Sequence, residues 1–251
     1  MKHPSSSGRK ASPRQVERPP HTGISMNVDN AEINHRIEEK HRLVPGKSAL
    51  LVIDMQHGFL DEGASLEVVA GRSIIPTIRS LVDAFRAKEA PVIFTEFVYA
   101  DNVPCLRGDP FGVEHLPAKE GEPTGLEHPS SNCLIGHNAG EGVESAETVE
   151  ALAPLPGELV IQGHTYDKFY GTPLDLSLRS QGITHLVATG ITTDVCVSGT
   201  VISGTTRDYR VTLATDGVAS PFPDLHDAAL KLLAHKFARL KTGEELIREL
   251  V

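Results

Sequence analysis

The sequence has no tryptophan, only three cysteines and few aromatic residues, which make up 5% of the chain. Three widely spaced cysteines do not make the disulfide framework of a small secreted protein, so we expect a reducing, cytoplasmic compartment. No apolar run approaches the roughly 20 residues that a membrane-spanning helix needs. Because aromatic residues are scarce, we expect a core of mainly aliphatic side chains.

Positive charge is also scarce, because 24 Lys and Arg stand against 33 Asp and Glu, for a formal net charge of −9. A general nucleic-acid binder carries a basic surface, so we expect neither a nucleic-acid nor a membrane partner. The chain has 251 residues, of which 39% are hydrophobic and 23% charged. This composition is typical of a globular protein with one large domain.

The first 25 residues differ from the rest of the chain. Residues 1–24 carry five Lys and Arg against one Glu, and they lack the apolar residues of a core. We expect residues 1–25 to be a disordered basic extension, which fits better than an organelle transit segment because no amphipathic period is visible. Residues 26–251 then form a single domain.

Short aliphatic runs alternate with segments of helical periodicity along the body of the chain. Runs that are apolar throughout are typical of parallel strands covered on both faces. The pattern predicts a three-layer α/β/α fold with a mainly parallel central sheet. The predicted strands are 48–54, 91–95, 158–161, 184–190 and 210–215, and the predicted helices are 73–89, 172–181, 195–208, 224–237 and one opened by a capping box at Thr242 and Glu245.

Residues 100–145 interrupt this alternation with a long stretch rich in glycine and proline. Irregular segments of that length usually cover a functional site or form an interface, and we expect one of these roles here.

Polar residues follow the predicted strands, at the sheet edge where open parallel sheets bind ligands. Asp54 ends the first strand, Thr95 and Glu96 end the second, and Lys168 lies in the loop after the third. Cys196 follows the fourth strand at the start of a helix, where the helix dipole favours the nucleophilic thiolate. Each also has an ordinary alternative: a cap for Asp54, a solvated lysine for Lys168 and a small core residue for Cys196.

Three motifs narrow these alternatives. Residues 54–59 (Asp-Met-Gln-His-Gly-Phe), 166–175 (Tyr-Asp-Lys-Phe-Tyr-Gly-Thr-Pro-Leu-Asp) and 190–197 (Gly-Ile-Thr-Thr-Asp-Val-Cys-Val) resemble the signatures of the isochorismatase-like cysteine hydrolases. The resemblance covers residues 45–250 and is strongest toward N-carbamoylsarcosine, ureidoacrylate and biuret amidohydrolases. It implies a small-molecule substrate and, because oligomers are common in this family, a homo-oligomer, either dimer or tetramer.

The resemblance also implies a catalytic triad of aspartate, lysine and cysteine. The aspartate maps onto Asp54 and the nucleophile onto Cys196. The family often has a cis peptide before the nucleophile, which here falls between Ile191 and Thr192. The backbone N–H groups of Thr192 and Cys196 would then form the oxyanion hole.

The lysine is where this chain departs from the family pattern. Family members usually carry it directly after the third strand, and Gly163 occupies that position here. Three alternatives follow: Lys168 reaches the site from five residues further along, His164 replaces the lysine, or the site is altered. We expect Lys168 to complete the triad.

Two further features bear on the reaction. Nicotinamidases carry Asp-Trp-His ligands after the second strand, whereas this chain has Thr95-Glu-Phe-Val-Tyr99, so we expect no catalytic metal, no cofactor and no nicotinamide substrate. Isochorismatases proper tend to lack the cysteine, so Cys196 favours hydrolysis of a C–N bond. An ether hydrolase of the isochorismatase type and a catalytically weak binding protein are the alternatives.

Several residues that follow strands are candidates for contacting the substrate. Aromatic side chains there could wall a small pocket, and a carboxylate could accept a hydrogen bond from an amide or ureido N–H. These candidates are Phe59, Glu96, Phe97, Tyr99 and Tyr170. The ordinary alternative is packing of loops onto the sheet for the aromatic residues and an exposed loop charge for Glu96.

Overall fold

A computed structural model describes residues 30–64, 67–98 and 143–250 of the chain. The predicted extension of residues 1–25 lies outside the described residues. So does nearly all of the predicted excursion at 100–145, of which only the last three residues are described.

Six parallel strands form the central sheet of the described chain, in the order β3-β2-β1-β4-β5-β6. The predicted three-layer α/β/α class with a parallel sheet is thereby confirmed. The five predicted strands are all present, and a short sixth strand joins the edge of the sheet. The strands are β1 (Ser48–Ile53), β2 (Val92–Phe97), β3 (Leu159–Gly163), β4 (His185–Ile191), β5 (Arg210–Ala219) and β6 (Arg239–Lys241).

Seven α-helices accompany the strands in the described part of the chain. They are α1 (Asn30–His41), α2 (His57–Leu60), α3 (Val69–Ala87), α4 (Leu174–Ser180), α5 (Ser198–Thr206), α6 (Pro223–Lys236) and α7 (Gly243–Glu249). The capping box predicted at the start of α7 is confirmed, with the Thr242 hydroxyl accepting from the N–H of Glu245 and the Glu245 carboxylate from that of Thr242. No helix of the described chain is long and apolar enough to cross a membrane.

The two faces of the sheet carry separate hydrophobic cores. One core packs α3 and α7 on the sheet through Ile78, Leu81 and Phe85. The other packs α4, α5 and α6 through residues such as Leu178 and Leu233. Successive strand residues point to opposite faces, so β1, β2, β4 and β5 contribute to both cores, whereas β3 and β6 contribute only to the second. Most buried hydrophobic side chains are aliphatic, as the low aromatic content predicted.

The carboxyl ends of β1 and β4 lie side by side in the middle of the sheet. Ile53 pairs with Gly190 in the parallel register. A Cβ atom on Gly190 would lie 2.0 Å from the backbone oxygen of Ile53, and its φ of +110° favours glycine as well. This close approach places Asp54, with its own positive φ of 52°, beside the turn that leaves β4.

A charged cluster closes the opposite side of the molecule, where α1, β6 and α7 meet. The guanidinium of Arg239 is 3% exposed and lies 2.8 Å from the Glu249 carboxylate and 3.4 Å from that of Glu38. Two histidines lie near it. Burial, reinforced by the charges of Arg210 and Arg239, lowers the pKa of both His41 and His185 below the ordinary 6.5.

We predict that these two histidines make the fold sensitive to mild acid. The unfolded chain protonates them as the pH falls through 6.5, whereas the folded chain does so only at lower pH. The unfolded state binds more protons in that window, so the free energy of unfolding decreases as the pH falls below about 6.5. Urea unfolding at pH 7.5, 6.5 and 5.5 measures the slope, and His41→Gln with His185→Asn should flatten it. An unchanged slope in that double variant would contradict the assignment, since carboxylates titrate mostly below this window.

Candidate active site

A buried ion pair lies at the carboxyl edge of the sheet. The ammonium of Lys168 is 2.8 Å from Oδ2 of Asp54, and both side chains are 1% exposed. The hydroxyl of Thr95 donates to Oδ1 of Asp54 at 2.7 Å, and the ammonium also donates to the backbone oxygen of Thr165 at 2.9 Å. Oδ2 accepts no aligned hydrogen bond. The carboxylate is thus held by an ion pair on one oxygen and a hydrogen bond on the other.

The loop after β3 holds Lys168 in place through contacts with α5. The backbone N–H of Lys168 donates to the hydroxyl of Thr200 at 3.2 Å, and the hydroxyl of Ser203 donates to the Asp167 carboxylate at 2.7 Å. The other oxygen of Asp167 accepts from the N–H of Phe169 at 2.8 Å. These bonds dock the loop on the helix that follows Cys196, so the lysine and the cysteine share one support.

Phe97 forms the floor beneath Lys168. Its ring centroid is 5.1 Å from the ammonium, a cation–π contact, and its side chain is 3% exposed. The ring of His164 lies 4.6 Å away in a tilted arrangement, and that of Tyr166 stacks at 5.9 Å. Of the two candidates for the missing lysine, the structure thus brings Lys168 to Asp54 and places the His164 ring against Phe97.

Cys196 lies in an irregular turn between β4 and α5. Residues Thr193–Val197 form a π-helical turn that continues into α5, where the sequence predicted an ordinary helix from residue 195. Such turns are frequent at functional sites. The predicted cis peptide between Ile191 and Thr192 is confirmed. Cys196 is a free cysteine, 9% exposed. Because β1 and β4 are neighbours, its turn lies at the same edge as Asp54.

Glu96 is buried rather than an exposed loop charge. One carboxylate oxygen accepts from the backbone N–H and the hydroxyl of Thr148, at 2.9 and 3.0 Å. The other accepts from the side-chain amide of Gln162 at 3.0 Å. Glu96 therefore braces the segment around residue 148 against β2 and β3. The substrate contact predicted for Glu96 stays a prediction.

Within the described chain, the side chains of the other predicted site residues make no hydrogen bond or ring contact that would assign them a role in the site. Phe59 is half-buried and packs against the core under α3. Tyr170 is 56% exposed on the loop that carries Lys168. Tyr99 lies outside the described residues. The contacts of these residues with substrate, and the oxyanion role of the Thr192 and Cys196 N–H groups, stay predictions.

Gln56 is a site residue that sequence reasoning missed. Its side chain is fully buried and pairs with the backbone of Phe97, accepting from the N–H at 2.7 Å and donating to the carbonyl at 2.9 Å. The same amide donates to the carbonyl of Ala146 at 2.9 Å. Gln56 thus holds the end of β2 and the returning chain together beside Asp54. Its place two residues after Asp54, in the first motif, was the available signal.

Comparison with known proteins identifies the family. Residues 48–245 match the isochorismatase domain, so the chain belongs to the isochorismatase family of hydrolases. Ureidoacrylate amidohydrolase RutB of Methylobacterium radiotolerans is 32% identical over 194 residues, which cover 75% of this chain and 73% of that protein. The enzyme of the same name from Enterobacter sp. (strain 638) is 32% identical over 190 residues, covering 74% of this chain and 80% of that protein.

Solved structures agree with the family assignment. A cysteine hydrolase from Pseudomonas syringae pv. phaseolicola 1448A aligns with a TM-score of 0.67 at 25% identity, covering 83% of this chain and 94% of that chain. N-carbamoylsarcosine amidase from Thermoplasma acidophilum aligns with a TM-score of 0.58 at 25% identity, covering 79% and 97%. Both chains are similar to this one over nearly their whole length.

We predict that substitutions of Lys168 and Asp54 have strongly coupled effects on the free energy of unfolding. Lys168→Met and Asp54→Asn each leave one charge buried without its partner, which costs about 3–5 kcal/mol. The double variant removes both charges and should recover much of that loss. Urea unfolding of the four proteins measures the coupling. Single variants that each lose less than about 1 kcal/mol would show that solvent screens the pair, contrary to its burial.

Proposed function

We propose that this hydrolase is a metal-independent cysteine amidohydrolase that cleaves a C–N bond of a small linear amide, carbamoyl or ureido compound. The observation that carries the proposal is the buried contact of 2.8 Å between Lys168 and Asp54, at the sheet edge shared with the turn of Cys196. A thiol, a carboxylate and an ammonium at one edge are the groups that covalent hydrolysis of an amide requires.

The first half of the reaction forms a covalent intermediate. Asp54 takes the thiol proton of Cys196, and the thiolate sulfur bonds to the carbonyl or carbamoyl carbon of the substrate. The N–H groups of Thr192 and Cys196 stabilise the oxyanion. When the tetrahedral intermediate collapses, the C–N bond breaks, and the proton held by Asp54 passes to the departing nitrogen, which leaves as ammonia or an amine.

The second half regenerates the enzyme. Asp54 takes a proton from a water molecule, whose oxygen attacks the thioester carbon. The C–S bond then breaks, and the proton on Asp54 returns to the sulfur of Cys196.

Lys168 has an electrostatic role in this scheme. Its ammonium compensates the carboxylate charge in a buried site and, as a nearby cation, favours the thiolate of Cys196. Thr95 and Thr165 fix the two partners, so the charges keep their geometry while the proton moves.

The named relatives favour the ureido branch of this substrate class. Two are ureidoacrylate amidohydrolases, and a structural neighbour at 25% identity is an N-carbamoylsarcosine amidase. Both names denote small linear compounds with a terminal ureido or carbamoyl group. We therefore expect a substrate with a terminal –NH–CO–NH2 group.

The test is ammonia release from ureidoacrylate, N-carbamoylsarcosine and a simple aliphatic amide. We expect the wild type to turn over at least one ureido compound, and Cys196→Ala to lose about a thousandfold or more in kcat. Rapid quench and mass spectrometry should find the acyl group on Cys196. Cys133→Ala is the matched control, because it removes a different cysteine and should retain activity.

Other outcomes would point elsewhere. Full activity in Cys196→Ala would contradict the covalent role of Cys196. Hydrolysis of a vinyl ether with no action on amides would indicate an ether hydrolase of the isochorismatase type. Binding of ureido compounds without turnover would indicate a binding protein.

A further inference from the structure

The turn that carries Cys196 is held by hydrogen bonds between neighbouring residues. Thr192 precedes it in an extended conformation and makes no side-chain capping bond. Its backbone oxygen accepts from the N–H groups of Val195 and Val197, both at 3.1 Å. Within the turn's own segment, the hydroxyl of Ser198 donates to the carbonyl of Thr193 at 2.5 Å. These hydrogen bonds are local, so they do not themselves join the turn to another element of the fold.

A histidine of another helix supplies a contact from outside. Nδ1 of His226, the fourth residue of α6, lies 2.9 Å from the hydroxyl of Thr193. Thr193 is the first residue of the π-helical turn and is fully buried, while His226 is partly buried. The contact thus joins the nucleophile's turn to the helix that follows β5.

The helix α6 is a firm support for that contact. Ala229 and Leu233 are buried on its inner face, and Leu233 lies in the core that α6 shares with α4 and α5. Pro223 occupies its first turn, and the chain before it is held by a bond of 3.1 Å from the N–H of Phe222 to the hydroxyl of Ser220. A side chain on such a helix holds its partner with little freedom.

We propose that His226 is a positioning residue, which aims the sulfur of Cys196 by holding the hydroxyl of Thr193 three residues earlier. The inference rests on the proposed role of Cys196 as the nucleophile. Misplacing a reacting atom by about 1 Å can cost about a hundredfold in rate, so loss of this contact should lower kcat. KM should change little, because His226 acts through the turn and not on the substrate.

Matched variants distinguish the effect of the hydrogen bond between His226 and Thr193 from the effect of filling the space at position 226. Asparagine at position 226 carries its amide where Nδ1 lies and can still reach Thr193, whereas glutamine carries its amide further out. We expect His226→Ala and His226→Gln to lose about tenfold in kcat, and His226→Asn to stay within about threefold of the wild type. Thr193→Val removes the hydroxyl without changing the shape, and Thr193→Ser keeps it.

A double-variant cycle tests whether the two residues act together. If they do, Thr193→Val combined with His226→Ala should be no slower than the slower single variant. Additive losses, equal losses in His226→Asn and His226→Gln, or a change confined to KM would overturn the proposal. Circular dichroism and thermal unfolding identify variants that fail to fold, and the isosteric Thr193→Val with its Thr193→Ser control then decides the matter.

A second readout needs no substrate, so it separates this proposal from the proposed function. The alkylation rate of Cys196 by iodoacetamide, followed by peptide mass spectrometry, reports how the sulfur is presented. We expect His226→Ala and Thr193→Val to change that rate relative to the wild type, and His226→Asn to keep it. Unchanged alkylation together with unchanged kcat would overturn the positioning role. Full activity in Cys196→Ala would instead overturn the proposed function.

Discussion

The buried ion pair between Asp54 and Lys168 is the constraint around which this edge of the molecule is organised. Two charges withdrawn from water are tolerated only when each is met by the other and by further polar groups. Thr95 and the carbonyl of Thr165 provide those groups here. The loop after β3, the end of β1 and the end of β2 must therefore come together accurately for the chain to fold without an uncompensated charge.

A second set of buried polar contacts keeps the chain ends at this edge in register. Gln56 completes the backbone hydrogen bonding of Phe97 and Ala146, and Glu96 accepts from Thr148 and Gln162. Gln56 acts beyond the end of β1, where that strand no longer provides partners for Phe97, and Glu96 acts from β2 beside Gln162 of β3. These contacts hold together segments that are far apart in the sequence, since Glu96 and Thr148 are 52 residues apart.

Features with strong hydrophobic periodicity could be predicted from the sequence, whereas polar ones could not. Strands such as β1 and the long helix α3 bury apolar residues, and the regular spacing of those residues is visible in the sequence. The polar helix α1 was missed because its apolar residues show no period, and β6 because it has three residues. The contacts of Gln56 and Thr95 depend on which strand ends lie next to each other, and that cannot be read from the spacing of residues in a single sequence.

The loop after β3 brings the ammonium of Lys168 to Asp54, although no lysine directly follows that strand. Gly163 stands where the lysine was expected, and a Cβ there would lie 3.2 Å from a methyl group of Thr172, so the loop packs close to the strand end. The loop then carries Lys168 back over Phe97 to Asp54, and α5 holds the loop through Thr200. The position of the ammonium is thus determined by the layer of α4, α5 and α6, which also supports Cys196. The opposite layer of α3 and α7 stabilises the sheet, so substitutions there should act on stability before they act on the site.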